Sequence, residues 1–339
     1  MNTVQAPVCR DHGGRPMDYT TLGRSGLTVS RVGLGCMSYG VAALGMHEWT
    51  LDEDAAAPFF RQAVELGVIF WDTANVYQGG TSEEFVGRAI RRYSRREDIV
   101  LVTKVHGRMH DGPGGSGLSR KAVLEQLDAS LRRLDTDYVD VYYIHRFDEA
   151  VPVEETMEAL HDVVKAGKVR YLGASSMWAW QFAKLQHTAR SNGWTPFVAM
   201  EDQYNVLRRE EERDMIPLCL DQGVGPTPYS PLAKGRAARP WGAQTARSST
   251  DTVAKAFDRD VDKAVVDAVE QAPRDVHGAD RAGVGTGQAG DRLPDCRRHQ
   301  AAAPHRRRRR PGRPPHRRGG RGTGGALHHP GQLLVVEAH

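Results

Sequence analysis

Between residues 17 and about 235 the chain alternates two hydrophobic patterns. Short apolar runs rich in β-branched residues recur as SRVGLG, VIFWDTA, DIVLVTKV, VDVYYIH, VRYLGAS, FVAMED and VGPTPYS. Continuous apolar runs of this length suit strands buried on both faces. Between them lie stretches with apolar positions at helical spacing, such as EDAAAPFFRQAVELG, SEEFVGRAIRRYS, SRKAVLEQLDASLRRL, VEETMEALHDVVKAG and REEERDMIPLCLDQG. Helix-start chemistry stands ahead of several: Thr81 or Ser82 before Glu83 and Glu84, Ser119, and Glu154 with Glu155 in a first turn. Gly67, Gly167 and Gly223 fall where a left-handed C-terminal cap needs glycine. Strand, helix and strand repeated in this way imply right-handed parallel βαβ units over residues 31 to 230. Seven such units fit an eight-stranded barrel lacking one strand, or a large doubly wound sheet. No G-x-G-x-x-G fingerprint follows the first strand, since GLGCMSYG has the wrong spacing. The predicted fold is an α/β, (β/α)8 TIM-type barrel.

A parallel barrel keeps its chemistry at the C-terminal ends of its strands. Those ends carry Asp72, with Tyr77 five residues on, then Lys104, His145, Ser175 with Ser176, Glu201 to Asn205, and Tyr229 with Ser230. Singly, each has an ordinary structural role. Asp72 suits a turn or cap, Tyr77 a loop anchor and His145 a satisfied core histidine. Lys104 is harder to place, because an unpaired lysine in a buried strand is rare. Four such residues at successive strand ends point to catalysis.

The strings GRSGLTVSRVGLGCM, DTANVYQGGTSEEFVGRAI, VTKV, LRRLDTDYVDVYYIHR, GKVRYLGASS and YSPLAKGR resemble the aldo-keto reductases, over residues 17 to about 271. The likeness is greatest to the bacterial NADP-dependent branch, which is also similar to the potassium-channel β-subunits. The resemblance implies an NADP(H)-dependent reductase of aldehydes or ketones, with no metal. The cytoplasm is the compartment expected by default for a sequence showing neither a signal-peptide core nor a membrane span. Its catalytic tetrad lands on Asp72, Tyr77, Lys104 and His145. Tyr77 then supplies the proton to the developing alkoxide. A free tyrosine has a pKa near ~10, so the Lys104 ammonium eases proton release while Asp72 holds that ammonium. His145 orients the substrate oxygen, and the positive Lys104 with the hydrogen-bond donors stabilises the oxyanion.

Cofactor contacts implied in the same way are Met37, Ser175 and Ser176, Tyr229 stacked on the nicotinamide, and Ser230, Leu232 and Gly235 along the pyrophosphate. Relatives usually carry Gln where this chain has Glu201. A carboxylate cannot donate as an amide does, which weakens nicotinamide binding unless Glu201 is protonated or Gln203 is recruited. A non-catalytic nucleotide-binding module is the rival class. Substrate identity and oligomeric state are not legible.

The composition breaks near residue 272. Of 339 residues, the last 68 hold 14 Arg, no Lys and 5 acidic groups, against a formal charge of only +4 for the whole chain. They include the run Arg306 to Arg310, and no aromatic follows Phe257. Such a segment buries too little apolar surface to offset its ordering entropy and is expected to be disordered, as is the extension 1–16 before MDYTTLG. Reading allowed codons for AGVGTGQAGDRLPDCRRHQAAAPHRRRR one nucleotide later gives LAWVLAKPGIASPIVGATKQPHHIDDAV. That is the ending the family resemblance implies, with a helix, strand eight and a phosphate-binding loop. The tail therefore reads as out of frame, with strand 8 and the final helices lost. The competing reading is a basic arm for nucleic acid, although the arm lacks aromatic residues for stacking. No apolar run reaches the ~18 residues of a membrane span, and the N-terminus lacks a signal-peptide core. Four scattered cysteines, Cys9, Cys36, Cys219 and Cys296, form no C-x-x-C pair.

Overall fold

The computed structural model describes residues 17–45, 47–251, 259–271 and 334–337. An antiparallel hairpin of β1 (Tyr19–Thr21) and β2 (Thr28–Ser30) opens the chain. The parallel strands β3 (Val32–Gly35), β4 (Phe70–Asp72), β5 (Val100–Val105), β6 (Val139–Ile144), β7 (Val169–Ser175), β8 (Phe197–Glu201) and β9 (Gly225–Pro226) follow, each beside the last. All seven coincide with the apolar runs read from the sequence. Helices α1 (Glu53–Glu65), α2 (Thr81–Tyr93), α3 (Arg120–Leu134), α4 (Val153–Lys165), α5 (Ala179–Ser191) and α6 (Met215–Gln222) connect them, and α7 (Ala246–Thr250) and α8 (Asp260–Gln271) come after β9.

Local chemistry explains most boundaries. Asp52 starts α1 by accepting the Ala55 N–H at 2.9 Å, and Ser119 starts α3 through the Ala122 N–H at 3.3 Å. Gly67, Gly167 and Gly223 all sit at positive φ behind their helices, as expected. Two details differ from the sequence reading. Thr81 and Ser82 lie inside α2, not at its cap. Gly80, at φ 98°, takes the N-cap position, while the Ser82 hydroxyl donates to the Cys36 carbonyl at 2.8 Å and so ties α2 to the end of β3. The stretch 209–223 splits into a short 3-10 turn, Glu210–Glu212, and α6. Pro217 stands in the first turn of α6, where its missing N–H costs no intrahelical bond.

The strands alternate with period two between a barrel interior and a helix-facing exterior. Phe70, Val100, Val102, Val141, Tyr143 and Ala199 pack inside with Leu22 and Val29 of the hairpin. Trp71, Leu101, Tyr142 and Ile144 face the outer core shared with the helices. The hairpin plugs the N-terminal end. The Arg24 N–H donates to the Gly223 carbonyl at 2.8 Å, and Gly23 sits so close that a Cβ there would meet that oxygen at 2.5 Å. With the bottom filled by apolar groups, the inward positions at the strand C-termini are left for polar chemistry.

One expectation needs correction. The place beside β3 is taken by β10 (Leu334–Glu337), parallel to β3 with Leu334 opposite Val32. The run LVVE is the one part of the tail with β-forming side chains, and an exposed strand edge is a template for such a segment. The tail is therefore not without structure throughout. The rest of it, and the extension 1–16, lie outside the described residues.

Candidate active site

The same two-residue period that builds the interior delivers the polar residues. Asp72 follows Phe70 inward, Lys104 follows Val102, His145 follows Tyr143, Ser175 follows Gly173 and Glu201 follows Ala199. Gly173 belongs to this layer by necessity, because a Cβ there would meet the Tyr143 ring at 2.6 Å. Pairing then sets neighbours level: Lys104 is opposite Tyr143, and Ser175 is opposite Glu201. Tyr77 arrives from the turn after β4, its N–H donating to the Ala74 carbonyl at 3.2 Å.

Lys104 is completely buried and sits at the centre. Its Nζ donates to Asp72 Oδ1 at 2.6 Å and Oδ2 at 2.5 Å, to the Thr73 carbonyl at 3.2 Å and to the Tyr77 hydroxyl at 3.5 Å. Glu201 Oε2 lies 3.4 Å away on another strand. The Tyr77 ring stands edge-on to the His145 imidazole, with centroids 5.7 Å apart. All four predicted tetrad members are thus in one cluster.

Electrostatics divides their roles. Burial works against the Lys104 ammonium, but Asp72 and then Glu201 outweigh it and hold its pKa well above the ordinary lysine value. Burial raises the Asp72 carboxyl, against the pull of Lys104. His145 is kept well below the usual histidine range by burial and by the positive Lys104 and Arg146, so it is a neutral imidazole. Glu201 is pushed up to about 8 by burial and the Asp72 charge, more than Lys104 pulls it down. A carboxyl at about 8 in the folded chain and 4.5 as its ordinary value binds its proton only when folded between those limits. Stability should therefore fall as pH rises through that window. Thermal unfolding of Glu201→Gln at pH 5, 7 and 9 is expected to show a flatter profile than the parent chain.

The cluster opens into a cavity of about 680 Å³ whose wall includes Met37, Asp72, Tyr77, His145, Ser175, Glu201, Gln203, Tyr229 and Ser230. Ser176 and Leu232 stand back from this wall. The Ser176 N–H donates to Asp202 Oδ1 at 3.1 Å and its hydroxyl meets Ser175 Oγ at 3.2 Å. The Leu232 carbonyl accepts the N–H of Gly235 at 2.9 Å, shaping the turn that follows. Gly235 lines a second pocket of about 190 Å³ with Lys234, Arg236, Arg239 and Arg247. Lys234, Arg247 and Asp251 border both. The sequence reading missed Trp49, Arg108, Arg146 and Arg247 on the larger wall. The Arg247 guanidinium lies 4.0 Å above the Trp49 ring, joining α7 to the loop before α1. Only the basic character of KGRAAR and TARSST hinted at that corner. Among the described residues no three His, Cys, Asp or Glu gather as a metal site needs, and no helix is long and apolar enough to cross a membrane.

Comparison with known proteins agrees with this geometry. Residues 36–266 match the Aldo/keto reductase family. Versiconal hemiacetal acetate reductase of Aspergillus parasiticus is 43% identical over 295 residues, covering 80% of this chain and 83% of that protein. An aldo-keto reductase of Fusarium vanettenii is 42% identical over 283 residues, covering 75% and 76%. Another, from Alternaria alternata, is 48% identical over 246 residues, 66% of each chain. These relatives are fungal, whereas the motifs most resembled the bacterial branch. An inward ring of Asp, Lys and His beside a loop Tyr, a seven-strand parallel sheet with flanking helices, and this extent of identity have one explanation: the chain belongs to the aldo/keto reductase family and is an oxidoreductase by that membership.

Proposed function

We propose that the chain reduces an aldehyde or ketone with NADPH, Tyr77 giving the proton to the carbonyl oxygen. The observation that carries this reading is the continuous hydrogen-bonded line from Asp72 through Lys104 to Tyr77, set against a neutral His145 at the cavity wall. NADPH, when bound, supplies the hydride. The second pocket fits its phosphates by chemistry: one lysine and three arginines surround Gly235, and guanidinium forks match phosphate oxygens. Tyr229, Ser230 and Ser175 line the space between that pocket and the cluster. His145 and Tyr77 hold the substrate oxygen, and the Lys104 ammonium lowers the cost of proton loss from Tyr77. Oxidation of NADPH by the chain with its reading frame restored, in the presence of an aromatic aldehyde and with NADH as the comparison, tests the reading. Turnover with NADPH in excess of NADH is expected; binding without turnover would favour a nucleotide-binding module.

The reading extends to the gene. The catalytic unit spans 17–271, works in the cytoplasm, and is followed by sequence from a shifted frame. The change of composition near residue 272 supports this, as does the end of the family match at residue 266. A one-nucleotide insertion or deletion near codons 270 to 276 is expected on sequencing. The uncorrected chain should express poorly or aggregate and have little reductase activity, and the frame-corrected chain should be soluble and bind NADPH more tightly. A stable monomer with micromolar NADPH affinity from the uncorrected gene would overturn this account.

A further inference from the structure

We infer that Glu201 is a proton-controlled positioning residue for the Lys104–Tyr77 pair: with its proton it leaves Lys104 to Asp72 and Tyr77, and without it it draws the ammonium and weakens the hold on Tyr77. The inference rests on the reductase reading only for its biological meaning, since it concerns three side chains of the free protein. The geometry is a competition. Lys104 has three N–H bonds, and five acceptor atoms surround it: both oxygens of Asp72, the Thr73 carbonyl, the Tyr77 hydroxyl and Glu201 Oε2. Asp72 holds two short contacts, while Glu201 at 3.4 Å and Tyr77 at 3.5 Å are nearly equidistant rivals for what remains. A charged acceptor wins that contest against a neutral hydroxyl.

Charge makes the competition switchable. Asp72 at the end of β4 and Glu201 at the end of β8 are both buried, so one ammonium faces two carboxyls. A buried site with one ammonium and two carboxylates carries an uncompensated negative charge, which a proton removes. The value of about 8 for Glu201 is in keeping with that, so neutral pH keeps it protonated and alkaline pH does not. The other groups facing it leave the argument intact. Tyr143 from β6 is held neutral by burial, with its hydroxyl 3.1 Å from Thr227 Oγ1. Arg146, after β6, only lowers the Glu201 value and is already counted within it. Tyr229, after β9, is likewise raised by burial and stays neutral.

The readout is the ionisation of Tyr77 itself, which needs neither cofactor nor turnover. Phenolate absorbance is titrated in the full chain and in Glu201→Gln, each corrected by its Tyr77→Phe counterpart. The phenolate of Tyr77 is expected to appear about one pH unit lower in Glu201→Gln, because that variant never places a second negative charge on Lys104. A Tyr77 ionisation that is the same in both would overturn the inference. A carbon-13 titration of glutamate carboxyls in the unsubstituted chain guards against a variant that fails to fold. One carboxyl changing between pH 7 and 9 is expected; no Glu resonance titrating above pH 6 would equally overturn it. Aldehyde turnover by the frame-restored chain reports separately, since its absence there removes the reductase reading and leaves these titrations unaffected.

Discussion

Replacing Tyr77 by Phe should lower carbonyl reduction by about 10²- to 10⁴-fold, the range that a positioned general acid contributes. The substitution removes one oxygen atom. The ring keeps its edge-on contact with His145, and the hydroxyl accepts a hydrogen bond from the Lys104 ammonium at 3.5 Å. Lys104 retains both oxygens of Asp72 and the Thr73 carbonyl, so the buried charge is not orphaned. Fold and NADPH affinity should therefore change little while kcat collapses. Steady-state rates with an aromatic aldehyde, beside NADPH titration by fluorescence, separate the two quantities. Equal rates for parent and variant would remove Tyr77 from the proton-donor role. A parallel loss of NADPH binding would show instead that the hydroxyl shapes the cavity. His145 does not replace the lost donor easily, because burial and the neighbouring positive charges hold it neutral.

Much of this was readable in the sequence for a simple reason. A strand's two-residue period is a rigid rule, and three of the four tetrad members lie on it: 70 and 72, 102 and 104, 143 and 145. Once the apolar runs were read as strands, the strand-end residues could only point into one mouth. What escaped the sequence has no period. Trp49 and Arg247 meet across about two hundred residues, and their contact depends on where the irregular chain after β9 sets down the short α7. The Thr81 and Ser82 hydroxyls were read as caps because local sequence shows only their own helix. Their partners, the Val41 N–H and the Cys36 carbonyl, belong to a segment forty residues earlier. Glu201 was visible as a departure from the glutamine of the family. Its protonation was not, because that depends on Asp72 and Lys104, which are remote in sequence and adjacent only in the barrel. The strand at 334–337 was missed for the opposite reason: three apolar residues and a glutamate inside an Arg-rich tail carry too weak a local signal to stand against their surroundings.

Lys104→Met should cost both stability and activity, and the two losses should depend on pH. Methionine approximates the lysine stem in volume, so the packing term is small and the missing charge dominates. Breaking a buried ion pair by removing one partner typically costs about 3–5 kcal/mol, because the other partner stays buried and uncompensated. Here two carboxyls are left, Asp72 and Glu201, both already raised by burial. Without the ammonium they must take up protons to remain inside. The sign follows from the folded values lying above the unfolded ones. Between them the folded variant binds more protons than the unfolded chain, so its stability falls as pH rises. In the parent chain the Lys104 value is held well above the ordinary one, so its contribution is complete at any pH below the lysine range. The gap between parent and variant should thus be small at pH 5 and widen by pH 8, a contrast that urea unfolding at the two pH values measures directly. Turnover should fall by at least about a hundredfold at both, since no cation remains to ease proton loss from Tyr77. Lys104→Arg should not restore it, because the guanidinium is broader than the fully buried slot and its planar fork cannot place single hydrogen bonds on Asp72, Thr73 and Tyr77 together. A variant as stable as the parent at pH 8, or an arginine variant with parental rates, would show that the charge on Lys104 is not what organises this site.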